Sequence, residues 1–140
     1  MLLVTTDIIV ALLNTRLESE ATISVDQDSR FILGRFGYDV LRAQAITNPA
    51  TLGATTTSLT IVIGGENFNY QVVGGNIELT NNFGTEKLNS NQTKIDTISF
   101  TKIGNTGGKE TVQVKLSISS VPQAQAGPEI RTYQTTLGVR

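Results

Sequence analysis

The side chains able to do chemistry in this 140-residue sequence are carboxylates, amides and aromatics, because cysteine and histidine are both absent. Their absence excludes Cys/His zinc sites, thiol nucleophiles, Ser-His triads and disulfides. It also removes the commonest general base at neutral pH. No carboxylate pair or Ser/Lys dyad is evident that could replace these groups. We therefore predict that the chain is not an enzyme and uses no cofactor.

Two groups of oxygen-bearing side chains could hold a metal ion. Asp26 and Asp28 lie two positions apart, so their carboxylates diverge on a helix and we expect them to be solvated. Asn81-Asn82 with Glu86 is the better candidate for calcium, which needs several oxygen ligands close together. Because neither group supplies enough converging ligands, we predict no metal site.

The aromatic and charged residues limit the classes of ligand. Phe68, Tyr70 and Phe83 could form an exposed aromatic patch for a ligand, although packing in the core is the favoured interpretation. Acidic and basic residues nearly cancel, at 12 and 11, for a net charge of −1. No strong field would steer the chain to nucleic acid, and we predict no nucleic-acid partner.

The chain divides near residue 48. Residues 1–46 contain no proline, and Thr47-Asn48-Pro49 is a helix stop signal. We predict a helix over 1–46 and a β-rich head over 47–140. Apolar residues at helical spacing form one stripe, and charged residues take the other faces, where Asp26 with Arg30 and Arg35 with Asp39 are spaced to pair along the helix. That stripe is predicted to pack on a sheet through Val25, Ile32, Phe36 and Val40.

The first 14 residues are strongly apolar and have two interpretations. The apolar stretch spans about 13 residues, whereas a helix needs about 20 to cross a bilayer. It is either a buried core helix or the lower end of a longer hydrophobic helix whose beginning is missing. A 46-residue helix would be about 69 Å long, against about 30 Å for the head, which favours the second interpretation. The predicted assembly face carries Leu3, Ile9, Leu13 and Leu17.

The rest of the sequence predicts antiparallel strands. Alternating residues over 58–63, 68–72 and 76–79 are separated by Gly64-Gly65 and Gly74-Gly75, which are hairpin signals. Longer strands are expected over 95–103, 111–119 and 130–139, with a tight turn over 105–108 between the first two. Apolar and polar residues alternate over 111–119, which predicts one buried and one solvated face. The predicted fold class is α+β, with a long N-terminal helix packed on the apolar face of antiparallel sheet.

Residues 28–31 and 35–43, reading DSRF and RFGYDVLRA, resemble the end of the long helix in minor pilins and pseudopilins. The closing segment 133–140, YQTTLGVR, resembles the terminal strand of that family. The J-type pseudopilins of type II secretion and the W-type minor pilins of type IV pili are the nearest groups. The family's peptidase site is absent, and Met1 would fall inside the hydrophobic half of its helix. We therefore expect a start truncated within that helix.

The resemblance implies a structural subunit of a type IV pilus or type II secretion-like filament. Its partners would be other pilin or pseudopilin subunits and, through the full-length N-terminal helix, the bacterial inner membrane. The head would lie in the periplasm or at the cell surface. The alternative is an extracytoplasmic adhesin or binding module with a helical stalk.

Overall fold

A computed structural model describes residues 2–104, 107–121 and 128–139, with helical side chains described from Thr22 onward. The described elements are one helix and nine strands. In chain order they are α1 Leu2–Arg42, β1 Ala45–Asn48, β2 Thr55–Thr56, β3 Leu59–Ile63, β4 Glu66–Val73, β5 Asn76–Asn81, β6 Gly84–Lys87, β7 Thr93–Ile103, β8 Thr111–Ser120 and β9 Ile130–Gly138.

Helix α1 ends at Arg42, so the prediction of a helix through residue 46 is wrong at its end. The backbone N–H of Gln44 already donates to the carbonyl of Val62, at 2.7 Å. Ile46 then pairs with Ile61 across the β1–β3 ladder and is buried. Residues 45–48 thus form a strand because Ile46 gains both a ladder partner and burial, which outweigh its modest helix propensity.

The strands form two antiparallel sheets. The first, sheet A, has the order β1-β3-β4-β5-β6, and the second, sheet B, has the order β2-β7-β8-β9. The predicted strands over 58–63, 68–72, 76–79, 95–103, 111–119 and 130–139 are confirmed within a few residues. The two Gly-Gly hairpin turns are also confirmed, and each of their glycines has a positive φ. The predicted turn over 105–108 lies partly outside the described residues.

The predicted fold class, α+β with a long helix packed on antiparallel sheet, is wrong. Among residues whose side chains are described, 54% are in strands of two antiparallel sheets and 19% are in the helix, so this part of the chain is mainly β. Strands β1, β2 and β6 were not predicted because they are short and carry little apolar alternation. Alternation also indicates which face of a strand is buried but not which sheet the strand joins.

One hydrophobic core joins both sheets and the second half of α1. Sheet A supplies Leu59, Ile61, Tyr70, Ile77 and Leu79, and sheet B supplies Phe100, Val112, Val114, Leu116 and Ile118. The alternation predicted for β8 is confirmed, since Thr111, Gln113, Lys115 and Ser117 lie on its other face. The core therefore fixes how α1 sits against the strands.

Candidate assembly surface on the helix

The inward face of α1 is fully buried. Val25, Ile32, Phe36 and Val40 each have 0% of their surface exposed. The Phe36 ring makes edge-to-face contacts with Tyr70 of sheet A and Phe100 of sheet B, with centroids 4.9 and 5.6 Å apart. Such pairs add about 0.5–1.5 kcal/mol beyond the burial of area. Phe36 thus connects the helix to both sheets.

A buried carboxylate anchors the last turns of α1. Asp39 is fully buried, whereas its spacing had placed it on a charged outer face. Its carboxylate accepts hydrogen bonds from Arg35 Nε at 2.9 Å, from Arg42 Nη2 at 2.7 Å and from the hydroxyl of Tyr70. Two guanidinium groups and a phenol replace the water that the carboxylate has lost. The predicted Arg35–Asp39 pair along the helix is confirmed. The hydrogen bond from the Tyr70 hydroxyl to Asp39 fastens α1 to β4.

A second polar contact joins the middle of the described helix to the start of β7. The Oδ2 atom of Asp28 accepts hydrogen bonds from the Ser90 backbone N–H at 2.9 Å, the Ser90 hydroxyl at 2.8 Å and the Thr93 hydroxyl. The prediction that Asp28 is simply solvated is therefore wrong. Asp26 instead pairs with Arg30 at 3.2 Å along the helix, as its spacing predicts.

The outward face of α1 also carries large apolar side chains, with the exposed amide of Gln27 among them. Ile23, Phe31, Tyr38 and Leu41 are 54%, 52%, 59% and 50% exposed, respectively. At 3.6 residues per turn these positions fall within an arc of about 80°, opposite the buried stripe. Gly34 lies in the same arc, and a Cβ atom there would meet nothing within 4 Å. We call these five residues the outer helix face.

Arg42 links the outer helix face to the buried carboxylate. Its guanidinium carbon lies 4.2 Å from the centroid of the Tyr38 ring while the same group binds Asp39. A cation over an aromatic ring is attracted by the negative face of the ring. Tyr38 is therefore held in place by a side chain that is itself anchored to the buried Asp39, which lowers the entropy cost of a contact through the exposed surface of Tyr38.

The predicted assembly residues Leu3, Ile9, Leu13 and Leu17 lie on α1, but their side chains fall outside those that the structure describes. Sequence reasoning did not identify the outer helix face as apolar. The signal was present in the spacing of Ile23, Phe31, Tyr38 and Leu41. Among the described residues, no helical segment combines the length and apolarity that a bilayer crossing requires.

The calcium candidate does not assemble. Asn81 uses its side-chain oxygen to accept the backbone N–H of Phe83, at 2.9 Å. Glu86 lies 3.5 Å from the guanidinium of Arg35. Within the described part of the chain, no group of three or more acidic residues is placed to hold a metal ion.

The three aromatic residues considered for a ligand patch differ in burial. Phe68 and Tyr70 are buried in the core, whereas Phe83 projects from the β5–β6 turn with 89% of its surface exposed. Phe83 borders a cavity of about 240 Å³ together with Leu79, Asn81 and Glu86. These three described rings therefore form no common patch. The prediction of core packing is confirmed for Phe68 and Tyr70 and wrong for Phe83.

No family model, curated protein or solved structure matches this chain.

Proposed function

We propose that the chain is a structural subunit, a minor pilin or pseudopilin, of a type IV pilus or type II secretion-like filament that assembles through its N-terminal helix. The observation that carries this proposal is the second apolar face of α1. A helix that only held a globular head together would need one apolar face, toward the core. Here the opposite face also carries large apolar side chains.

The exposed residues have the composition of a contact surface. Phe31 and Tyr38 are aromatic anchors of the kind that dominate binding energy at interfaces. Gly34, between them, leaves room for another backbone to approach closely. The partners would be the helices of other subunits, with the head outside the cytoplasm and the N-terminal part of the helix in the inner membrane.

The proposal is tested by removing the aromatic anchors from the outer helix face. We expect Phe31→Ser combined with Tyr38→Ser to weaken self-association at least about tenfold, because two anchors lose their buried area. Sedimentation of the purified chain over a concentration series measures this effect. Phe83→Ser is the matched control, since it removes an exposed aromatic that lies off the helix. Unchanged association of the double variant would contradict the proposal.

A binding module with a helical stalk is a second candidate, favoured by Phe83 and the cavity beside it. An exposed aromatic ring next to polar groups suits stacking against a sugar ring. If this candidate is correct, Phe83→Ala will abolish binding in a glycan-array screen and leave self-association intact. A screen in which the unaltered chain retains no glycan would remove this candidate.

A further inference from the structure

Strand β9 ends sheet B and leaves one of its backbone edges unpaired. The backbone N–H groups of Val139 and Ser120 donate to the carbonyls of Glu110 and Glu129, each at 2.9 Å. These bonds show that the odd-numbered residues of β9 face β8. In an antiparallel ladder the direction alternates, so Ile130, Thr132, Gln134, Thr136 and Gly138 direct their N–H and C=O groups away from the sheet. No backbone hydrogen bond within the described residues reaches them.

The other three sheet edges are short and protected. Strand β2 has two residues and pairs with Thr101 and Phe100 of β7, and the remaining edge of β7 is interrupted by a register shift between Ile95 and Thr97. Strand β6 has four residues, including Glu86 and Lys87. Strand β1 is interrupted by a register shift and followed by Pro49. Its outward groups at Ile46 are also occupied, because the N–H donates to the Glu110 carboxylate and the carbonyl accepts from Lys102 Nζ at 3.0 Å. Charges, prolines, shortness and bulges are the usual ways of blocking an edge.

Strand β9 is less protected than these three edges. Its nine residues pair with β8 without a register shift, contain no proline and include one charged residue, Arg131. At about 3.4 Å per residue the open edge is about 30 Å long. Its residues are mostly threonine, tyrosine and other good strand formers.

The open edge is complementary to itself. If two copies of β9 pair antiparallel with Gln134 opposite Gln134, then Thr132 faces Thr136 of the second copy and Ile130 faces its Gly138. All the outward groups are then satisfied, by about ten hydrogen bonds. Arg131 faces Leu137 of the second copy, so no like charges are opposed. Lys115 of β8 lies beside Gln134, at the centre of the proposed contact. It would be about 14 Å, or three strand spacings, from Lys115 of the second copy, which is beyond the Debye length.

We propose that β9 pairs antiparallel with the β9 strand of a second copy of this chain, joining two B sheets into one eight-stranded sheet. The contact has two-fold symmetry and is closed, whereas a filament requires an open series of contacts. It is therefore an interface distinct from the outer helix face and stands independently of the filament proposal.

Amide hydrogen exchange of the full chain over a concentration series tests the pairing residue by residue. We expect the amides of Thr132, Gln134 and Thr136 to exchange at solvent rates in dilute solution and to become protected as concentration rises. The amides of Thr135 and Leu137, which face β8, should stay protected throughout. Outward amides that exchange freely at every concentration would overturn the proposal, as would protection that appears only on adding a different protein.

A pair of substitutions separates backbone pairing from side-chain contact. Gln134→Pro removes one outward N–H from each copy while sparing the bonds to β8, and we expect dimerisation to weaken about thirtyfold. Gln134→Val keeps the N–H and should dimerise like the unaltered chain. Equal dimerisation of both variants would contradict the proposal. If Gln134→Pro does not fold, the exchange pattern of the unaltered chain still decides the question.

The variant with two substitutions on the outer helix face distinguishes the β9 interface from helix-mediated assembly. Phe31→Ser with Tyr38→Ser leaves β9 untouched, so it should retain the concentration-dependent protection of Gln134. Loss of that protection in the helix variant would overturn the assignment of a separate β9 interface.

Discussion

Replacing Phe36 with alanine will lower the free energy of unfolding by about 3–5 kcal/mol, the usual cost of truncating a buried aromatic side chain. Phe36 is fully buried and its ring touches aromatic rings of both sheets. The substitution removes both ring contacts and leaves a cavity that three separate elements would have to close together. Because domains of this size are stable by only about 5–15 kcal/mol, the loss will be large in a denaturant titration.

Phe31→Ala on the same helix is the matched control for this experiment. Phe31 is half exposed on the outer helix face, so its truncation should change the stability of the dissociated chain by less than about 0.5 kcal/mol. The two variants remove the same atoms from one helix and differ in the face they alter. Equal destabilisation by both would contradict the assignment of one inward and one outward face.

Removing both guanidinium groups around Asp39 will have the second large effect. Arg35→Met combined with Arg42→Met leaves a fully buried carboxylate with the Tyr70 hydroxyl as its remaining described side-chain partner. Breaking a buried ion pair in this way costs about 3–5 kcal/mol, because the remaining charge has neither water nor a counter-ion. Thermal or denaturant unfolding of the double variant measures this cost.

Adding Asp39→Asn to that double variant is the control. Asparagine keeps the shape and an acceptor for the Tyr70 hydroxyl but carries no charge, so most of the lost stability should return. If the triple variant is no more stable than the double variant, the penalty does not come from an uncompensated charge. Lost packing of the arginine stems would then be the cause.

The features of this fold that could be predicted are those that depend on the spacing of residues close together in the sequence. The spacing of three and four residues marks Val25, Ile32, Phe36 and Val40, and all four are buried. Strict alternation marks the faces of β8, and glycine pairs mark two hairpin turns. Each signal depends on neighbours within a few positions, which a single sequence displays directly.

What escaped prediction depends on partners distant in the sequence. Asp39 is buried because its carboxylate accepts hydrogen bonds from Arg35, from Arg42 and from the hydroxyl of Tyr70, which is 31 residues away in the sequence. Lys102 is buried because it binds the carbonyls of Ile46 and Ala50 and the carboxylate of Glu110. No local pattern encodes such pairings, so the charged residues of the helix, Asp39 among them, were assigned to its outer faces, and the burial of Lys102 was not predicted. The division of the strands between two sheets was missed for the same reason, and with it the mainly β class.

The outer helix face illustrates a different failure. Its apolar residues recur at the same helical spacing as the buried stripe, so spacing alone does not show which of the two faces is buried. Burial separates the two, because Phe36 is enclosed while Phe31 and Tyr38 are half exposed. The site on which the proposed function rests thus became visible once the structure distinguished the two faces.

Thiol labelling at position 34 tests the helix-mediated assembly most directly. The chain has no cysteine, so Gly34→Cys provides a single reporter in the middle of the outer helix face, where a Cβ atom has open space. Gln71→Cys, at an exposed position on β4, is the control. We expect a bulky maleimide to label both thiols in the dissociated chain but only the Gln71→Cys thiol in the assembled form. Equal labelling of the Gly34→Cys thiol before and after assembly would contradict it.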